Sequence, residues 1–200
     1  DDRSMIRDLP DTLRERVTAL SGHDPDGDFV LYWMHGALRT RENPSLDVAL
    51  AAGRLLGKPV FVYRALSERY PYDSDRHHTF ILEGQREVGL RLAERGIGTA
   101  FHLERPGHRG PHLKTLGQRA ALVVTDDTPV PPRRGWIRRL ADAIDTPLWV
   151  VDAACVVPMP LVDRPHTRAF RFRKAIQEAL DARLRLPWTD EEPDEPFVPD

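Results

Sequence analysis

The sequence predicts an α/β domain of three layers, doubly wound around a five-stranded parallel sheet. Two observations carry this. Five short runs are rich in apolar and β-prone residues: "FVLYWM" (Phe29–Met34), "PVFVYRAL" (Pro59–Leu66), "TAFHLER" (Thr99–Arg105), "AALVVTDD" (Ala120–Asp127) and "PLWVVDA" (Pro147–Ala153). Strands apolar on both faces must be covered on both sides, which is the habit of parallel sheets. The segments between them have helical spacing, and strand–helix alternation joined by right-handed crossovers gives a doubly wound sheet.

Taken in order, residues 1–28 form a leader. Leu9 to Leu20 reads as one amphipathic helix, and "SGHDPDGD" (Ser21–Asp28) is turn chemistry. Residues 29–186 form the α/β domain. After the first strand, "NPSLDVALAAGRLLGK" has Ser45 as an N-cap candidate, Gly57 as a stop, and Leu46, Val48, Ala49, Ala52, Leu55 and Leu56 on one face. A loop with "YPYDSD" follows the second strand and leads into a helix from Asp75 to Arg95, closed by Gly96. The stretch "PGHRGPHLKTLGQR" reads as a loop and a short helix. Trp136, Ile137, Leu140, Ala141 and Ile144 mark a helix before the fifth strand. A last helix, about Thr167 to Arg185, carries Phe172, Ala175, Ile176, Ala179, Leu180 and Leu184 on one side. Residues 187–200 are acidic and Pro-rich, with six acids and no base, and are expected to be flexible.

The expected strand order is 3-2-1-4-5, a Rossmann-like arrangement. Ligands of such sheets sit beyond the carboxyl ends of the strands where the winding reverses. That switch point implicates Met34 to Ala37 after the first strand and Thr125 to Thr128 after the fourth, with Arg64 and Ala65 alongside.

Composition excludes several classes. No apolar stretch approaches the roughly 20 residues of a membrane span. Cys155 is the only cysteine, so no internal disulfide can form, and a reducing, cytoplasmic setting is expected. Arginine outnumbers lysine 26 to 3, but it is scattered, so it is weak evidence for direct nucleic-acid binding. There is no G-x-G-x-x-G after the first strand and no Walker loop. His102, His108 and His112 share a loop region, but without a cysteine or close carboxylate set they read as solvated polar residues rather than a zinc site. Cys155 reads as a small hydrophobe. Asp126 and Asp127 fit an acid pair, a metal site or, more in keeping with Asp in turns, caps of the strand-four loop. Arg39, Glu42 and Asn43 fit helix initiation, with Asn43 or Ser45 as cap and Pro44 in the first turn; Arg39 is not required by that role and can also contact a ligand or a second domain.

The stretch "YWMHGALRTRENPSL" resembles the opening strand and turn of DNA photolyases and cryptochromes: an aromatic strand, a polar hook (Arg39 to Asn43) and a Leu-led helix from Leu46. "PDGDFVLYWM" is most similar to the class II branch. Further matches follow in order, "YPYDSDRHHTFILEGQREV", "ALVVTDDTPVPP", "WVVDAACVVP" and "TRAFRFRKAI", so the resemblance covers about Pro25 to Ile176. Gly36, Ala37 and Glu42 depart from the usual hook.

The resemblance implies the N-terminal, antenna-binding domain of a deoxyribodipyrimidine photolyase, the light-driven lyase that splits pyrimidine dimers in DNA. Its antenna is a deazaflavin, a folate or FMN. It passes excitation to FAD in a separate helical domain, which also holds the damaged DNA. On this reading the chain lacks the helical domain, so FAD binding and catalysis are not expected of it alone. Trp33, Met34, His35, Arg64, Asp126 and Asp127 are the candidate antenna contacts, and Arg39, Glu42 and Asn43 the hook, structural or facing the helical domain. No catalytic residue and no metal ligand is assigned. The alternatives are a stand-alone nucleotide-binding module of the same broad fold and a non-catalytic interaction scaffold.

Overall fold

The computed structural model describes residues 2–21, 26–68 and 74–194. Parts of the expected "SGHDPDGD" turn and "YPYDSD" loop, and the last six residues of the acidic tail, lie outside the described residues. The elements in chain order are α1 (Asp2–Asp8), α2 (Asp11–Arg14), β1 (Val17–Ser21), β2 (Phe29–Trp33), α3 (Pro44–Leu56), β3 (Val60–Ser67), α4 (Asp75–Glu94), β4 (Gly98–Glu104), α5 (His112–Arg119), β5 (Ala120–Asp126), α6 (Arg133–Ala141), β6 (Leu148–Val151), a single 3-10 turn (Met159–Leu161) and α7 (Ala169–Leu184).

The sheet order is β1-β6-β5-β2-β3-β4. β2 runs parallel to β3 and β5, β3 to β4, and β5 to β6. The five expected strands are therefore parallel and in the expected order. Trp33 pairs with Thr125, so the chain leaves β2 and β5 side by side at the switch point.

The sixth strand corrects the leader. Leu9 to Leu20 is not one helix: α2 ends at Arg14, and Val17–Ser21 joins the sheet antiparallel to β6. Its residues alternate between half-buried and exposed. That is the period-2 pattern of an edge strand covered on one face. Arg16 fixes the junction. Its carbonyl accepts the Asp152 amide at 3.0 Å, and its Nη1 donates to the carbonyls of Asp152 and Cys155 at 3.0 and 2.8 Å.

Alternate residues of the central strands build two cores. Val30, Tyr32, Val62, Leu122, Val124, Trp149 and Val151 pack with α3, α4 and the leader residues Leu9 and Leu13. Phe29, Leu31, Trp33, Phe61, Tyr63, Val123 and Val150 pack with Ile137 and Leu140 of α6 and with Ile144, which lies just past the end of that helix. Every β2 and β5 residue is buried, as a central parallel strand requires.

α3 is the central helix, buried continuously from Pro44 to Gly53. Its signals are all in the local sequence. The Asn43 side chain accepts from the Ser45 and Leu46 amides, Pro44 opens the first turn, and Gly57 closes the helix in the left-handed conformation (φ 61°). α7 is different, because none of its residues is buried. Phe172 is 42% and Leu184 66% exposed, and the Arg183–Glu15 ion pair ties the helix to the leader. Among the described residues, no helix is long and apolar enough to cross a membrane.

Candidate functional site

The rim after β2 is organised by one carboxylate. Asp126, the last residue of β5, is 3% exposed. It accepts the Tyr32 hydroxyl at 2.8 Å and the backbone amides of His35, Gly36 and Ala37 at 3.3, 2.7 and 3.0 Å. A turn with three amides aimed at one point is an anion cradle, and here the protein supplies the anion. Glycine at 36 gives Asp126 room: a Cβ there would stand 3.2 Å from Asp126 Oδ2 and 3.3 Å from its Cβ, close enough that the carboxylate would have to give by a few tenths of an ångström. Burial, and then the Asp126 charge, push the Tyr32 phenol well above its ordinary range, so Tyr32 stays a donor.

The hook is built around Asn43, which is fully buried. Besides capping α3, its Nδ2 donates to the carbonyls of Ala37 and Arg39 at 3.1 and 2.8 Å and to Tyr32 Oη at 3.3 Å. Arg39 donates to the Glu42 carbonyl at 2.9 Å and to the Ala153 carbonyl at 2.7 Å, which joins the loops after β2 and β6. Glu42 has φ 48°, an uncommon conformation for a residue with a Cβ. Arg39 and Asn43 thus hold backbone through their side chains, and Glu42 takes part through its own carbonyl.

A second carboxylate repeats the device one strand over. Asp152, fully buried just past β6, accepts the amides of Ala154, Cys155 and Met159 at 3.0, 2.9 and 2.8 Å. Burial, first, pushes the Cys155 thiol up, which disfavours the nucleophilic thiolate.

Two expected antenna contacts are turned away from the rim. Met34 is fully buried in the core beneath α3. Arg64 lies under α4. Its Nε donates to Thr99 Oγ1 at 3.1 Å, and its Nη1 donates to the Gln85 carbonyl and Oε1 at 2.5 and 2.8 Å. Strand alternation explains this, since β3 residues 60, 62 and 64 share the face that α4 covers. Burial holds the Arg64 guanidinium down to about 10.

Trp33, His35 and Asp127 remain. The Trp33 and His35 rings are 4.5 Å apart. Both His35 ring nitrogens are buried with no hydrogen-bond partner. Burial pushes the imidazole below its usual range, the Asp126 charge works against this, and Arg133 adds to it. Burial pushes the Asp127 carboxyl up, Asp152 adds to that, and Arg134 opposes it. The sequence reading missed Tyr32, Asp152 and Arg133. For Tyr32 and Asp152 the available signal was a polar group in, or directly after, an apolar strand.

Beyond the end of β4, a separate open groove of about 570 Å³ is lined by His102, Leu103, Arg105, Gly107, His108, Gly110 and His112. The His102 and His112 rings are 4.5 Å apart. Among the described residues, no three His, Cys, Asp or Glu side chains are arranged to hold a metal ion.

Together these features define a doubly wound α/β domain whose strand-end loops are braced by buried carboxylates at the switch point. Residues 30–196 match the DNA photolyase family model, and the chain belongs to that family as a photolyase-type α/β domain. It is 31% identical over 169 residues to the deoxyribodipyrimidine photo-lyase of Methanothermobacter thermautotrophicus, across 83% of this chain and 37% of that relative. The chain therefore spans little more than a third of that relative's length. The universal stress protein of Archaeoglobus fulgidus is a structural neighbour at TM-score 0.42 and 16% identity, covering 62% of this chain and 98% of that one. A second structure of the Archaeoglobus fulgidus protein, in complex with dAMP, gives TM-score 0.40 and 18% identity over the same shares. Likeness at that level carries no inference about this chain.

Proposed function

We propose that this chain is the antenna-holding domain of a light-driven pyrimidine-dimer photolyase of the class II type. It would act with a helical FAD-binding domain that engages damaged DNA. The observation that carries the reading is His35. It follows the central strand at the switch point, its ring lies 4.5 Å from Trp33, and its two buried nitrogens have no partner in the protein. A buried polar atom without a partner is unfavourable by about 1–3 kcal/mol, and a ligand with a complementary donor and acceptor removes that penalty. A flat heteroaromatic has both, and an apolar wall with few polar anchors is what such a ligand needs.

The fit favours Trp33 as the stacking wall, His35 as the polar anchor, and Asp127 with Arg133 at the edge. Met34, Arg64 and Asp126 act from behind, as core, as support of α4 and as brace of the turn. When bound, a deazaflavin, folate or FMN would supply light absorption and excitation transfer. The residues here would bind it, orient it and exclude water from its inner face. His35, neutral at pH 7, offers one donor and one acceptor.

The test is titration of the purified chain with a deazaflavin, a folate, FMN and AMP, followed by absorbance and fluorescence. One of the three chromophores should bind, and His35→Ala should weaken it about tenfold. Binding of AMP alone would favour a nucleotide-binding module. No binding by the chain or by a longer protein carrying the helical domain would leave an interaction scaffold.

A further inference from the structure

The acidic segment expected to be flexible is docked where it is described. Trp188 Nε1 donates to Asp47 Oδ2 at 2.7 Å, and the Glu191 amide donates to Asp47 Oδ1 at 3.0 Å. Asp47 lies in the first turn of α3 and is only 1% exposed. Both donors that satisfy this buried carboxylate thus come from the segment. The surrounding charges match it. Arg41 pairs with Asp190 at 3.3 Å and Glu192 at 2.9 Å, Arg54 pairs with Glu191, and Arg95 lies 3.6 Å from Glu192. Arg95 also donates to the Thr40 carbonyl, inside the hook. The Trp188 ring packs against the core and lies under the Arg16 guanidinium at 5.2 Å.

The segment also touches the rim's backbone. Asp190 Oδ1 accepts the Glu42 amide at 2.6 Å, at the residue held with φ 48°. From Glu42 the contacts continue without a gap. Asn43 follows in the chain and holds the Ala37 carbonyl, while the Ala37 and Gly36 amides close on Asp126. Arg16, which stacks on Trp188, holds the carbonyls of the loop after β6. One short segment therefore braces both loops at the strand ends.

We propose that Trp188–Glu192 is an acidic, tryptophan-led strap. It docks in cis in a groove formed by Asp47, Arg41, Arg54 and Arg95, and its engagement holds the turn after β2 closed on Asp126. The groove recognises a peptide by one indole N–H and one backbone N–H on a buried carboxylate, flanked by carboxylates for three guanidinium groups. Asp47 is covered by the same segment that supplies its donors, so a segment released into solvent would take both N–H groups away and leave water to replace them. The strap is independent of which chromophore binds, or whether any does, because it is defined by the chain's own backbone.

Hydrogen exchange on the whole chain tests it. Arg54 touches the strap from an exposed position at the end of α3, at the Glu192 carbonyl and the Glu191 carboxylate, so Arg54→Glu removes both contacts and turns the ion pair into a repulsion without disturbing the core. The Glu42, Gly36 and Ala37 amides should exchange about five-fold faster in Arg54→Glu. They should return toward the original rate in the Arg54→Glu/Glu191→Arg double variant, which restores the pair with its charges exchanged. Trp188→Ala should give a larger acceleration at the same amides and leave the β5 amides protected. Unchanged exchange at Glu42, Gly36 and Ala37 in both single variants would overturn the strap. So would acceleration spread evenly over β5, or a double variant no slower than Arg54→Glu.

Discussion

Replacing Asp126 by alanine should destabilise the domain far more than its chain neighbour does. The substitution strips the acceptor from the Tyr32 hydroxyl and the Gly36 and Ala37 amides, with His35 a longer fourth contact. Asp126 is 3% exposed, so the orphaned donors cannot all reach water. Each unsatisfied buried donor costs about 1–3 kcal/mol, and hydrogen bonds to a charged acceptor lie at the upper end. With three strong donors affected and one re-paired by local relaxation, Asp126→Ala should lose about 4 kcal/mol, or about 10 °C in melting temperature for a chain of this length. Asp126→Asn keeps one acceptor oxygen of the right shape and can donate to Tyr32 Oη, so about half that loss is expected. Asp127→Ala should stay within about 0.5 kcal/mol, because that half-buried carboxyl is itself disfavoured by burial. Urea unfolding of the three variants measures all of this. A loss under about 1 kcal/mol for Asp126→Ala, or equal losses at 126 and 127, would refute the reasoning that the turn is held by one anion.

Three further outcomes are expected. Asn43→Ala removes the α3 cap and the ties to the Ala37 and Arg39 carbonyls, and should cost about 2–3 kcal/mol by urea denaturation. Gly89→Ala would set a Cβ 2.9 Å from Arg64 Nη2, on a guanidinium pinned by Gln85 and Thr99. It should cost about 1–2 kcal/mol, and Arg64→Met in the same chain should recover part of that loss. Asp47 carries the pH dependence. Burial, the dominant cause, raises its carboxyl from 3.8 to about 6, so between those values the folded state binds more protons than the unfolded one. Its contribution to stability therefore falls as pH rises from about 4 to 6, by up to about 3 kcal/mol. The stability difference between the unaltered chain and Asp47→Asn should shift by that amount, in that direction, across this window. A difference that is flat or grows in the opposite sense would show that the strap's two N–H donors outweigh burial.

Much of the architecture was legible because its signals are local. Near-continuous apolar runs announced buried parallel strands, and Asn43, Pro44 and Gly57 announced both ends of α3 in adjacent residues. The edge strand β1 was not legible. Five residues after a short helix, alternately half-buried and exposed, look like more of the same amphipathic helix until β6 is present to pair with them. The candidate site was legible only to the level of the rim. That Trp33 and His35 follow the central strand is a matter of chain order, and the sequence implied it. Which way Arg64 points is a matter of which helix covers its face. Its turn under α4 follows from packing between elements separated by more than 20 residues.

The sequence by itself determined the five parallel strands, their winding order, the start and stop of α3 and the position of the switch point. Each of these depends on periodicity or on caps within a few residues. Tertiary structure alone decided that Asp126 is the brace of a turn rather than half of an acid pair, and that an acidic stretch with a disordered composition lies docked against Asp47. Those outcomes depend on partners 89 to 144 positions away in the chain, whereas Asp152 gathers amides from the loop that directly follows it. A buried carboxylate is tolerated only where hydrogen-bond donors converge on it, and for Asp126 and Asp47 those donors come from distant parts of the chain.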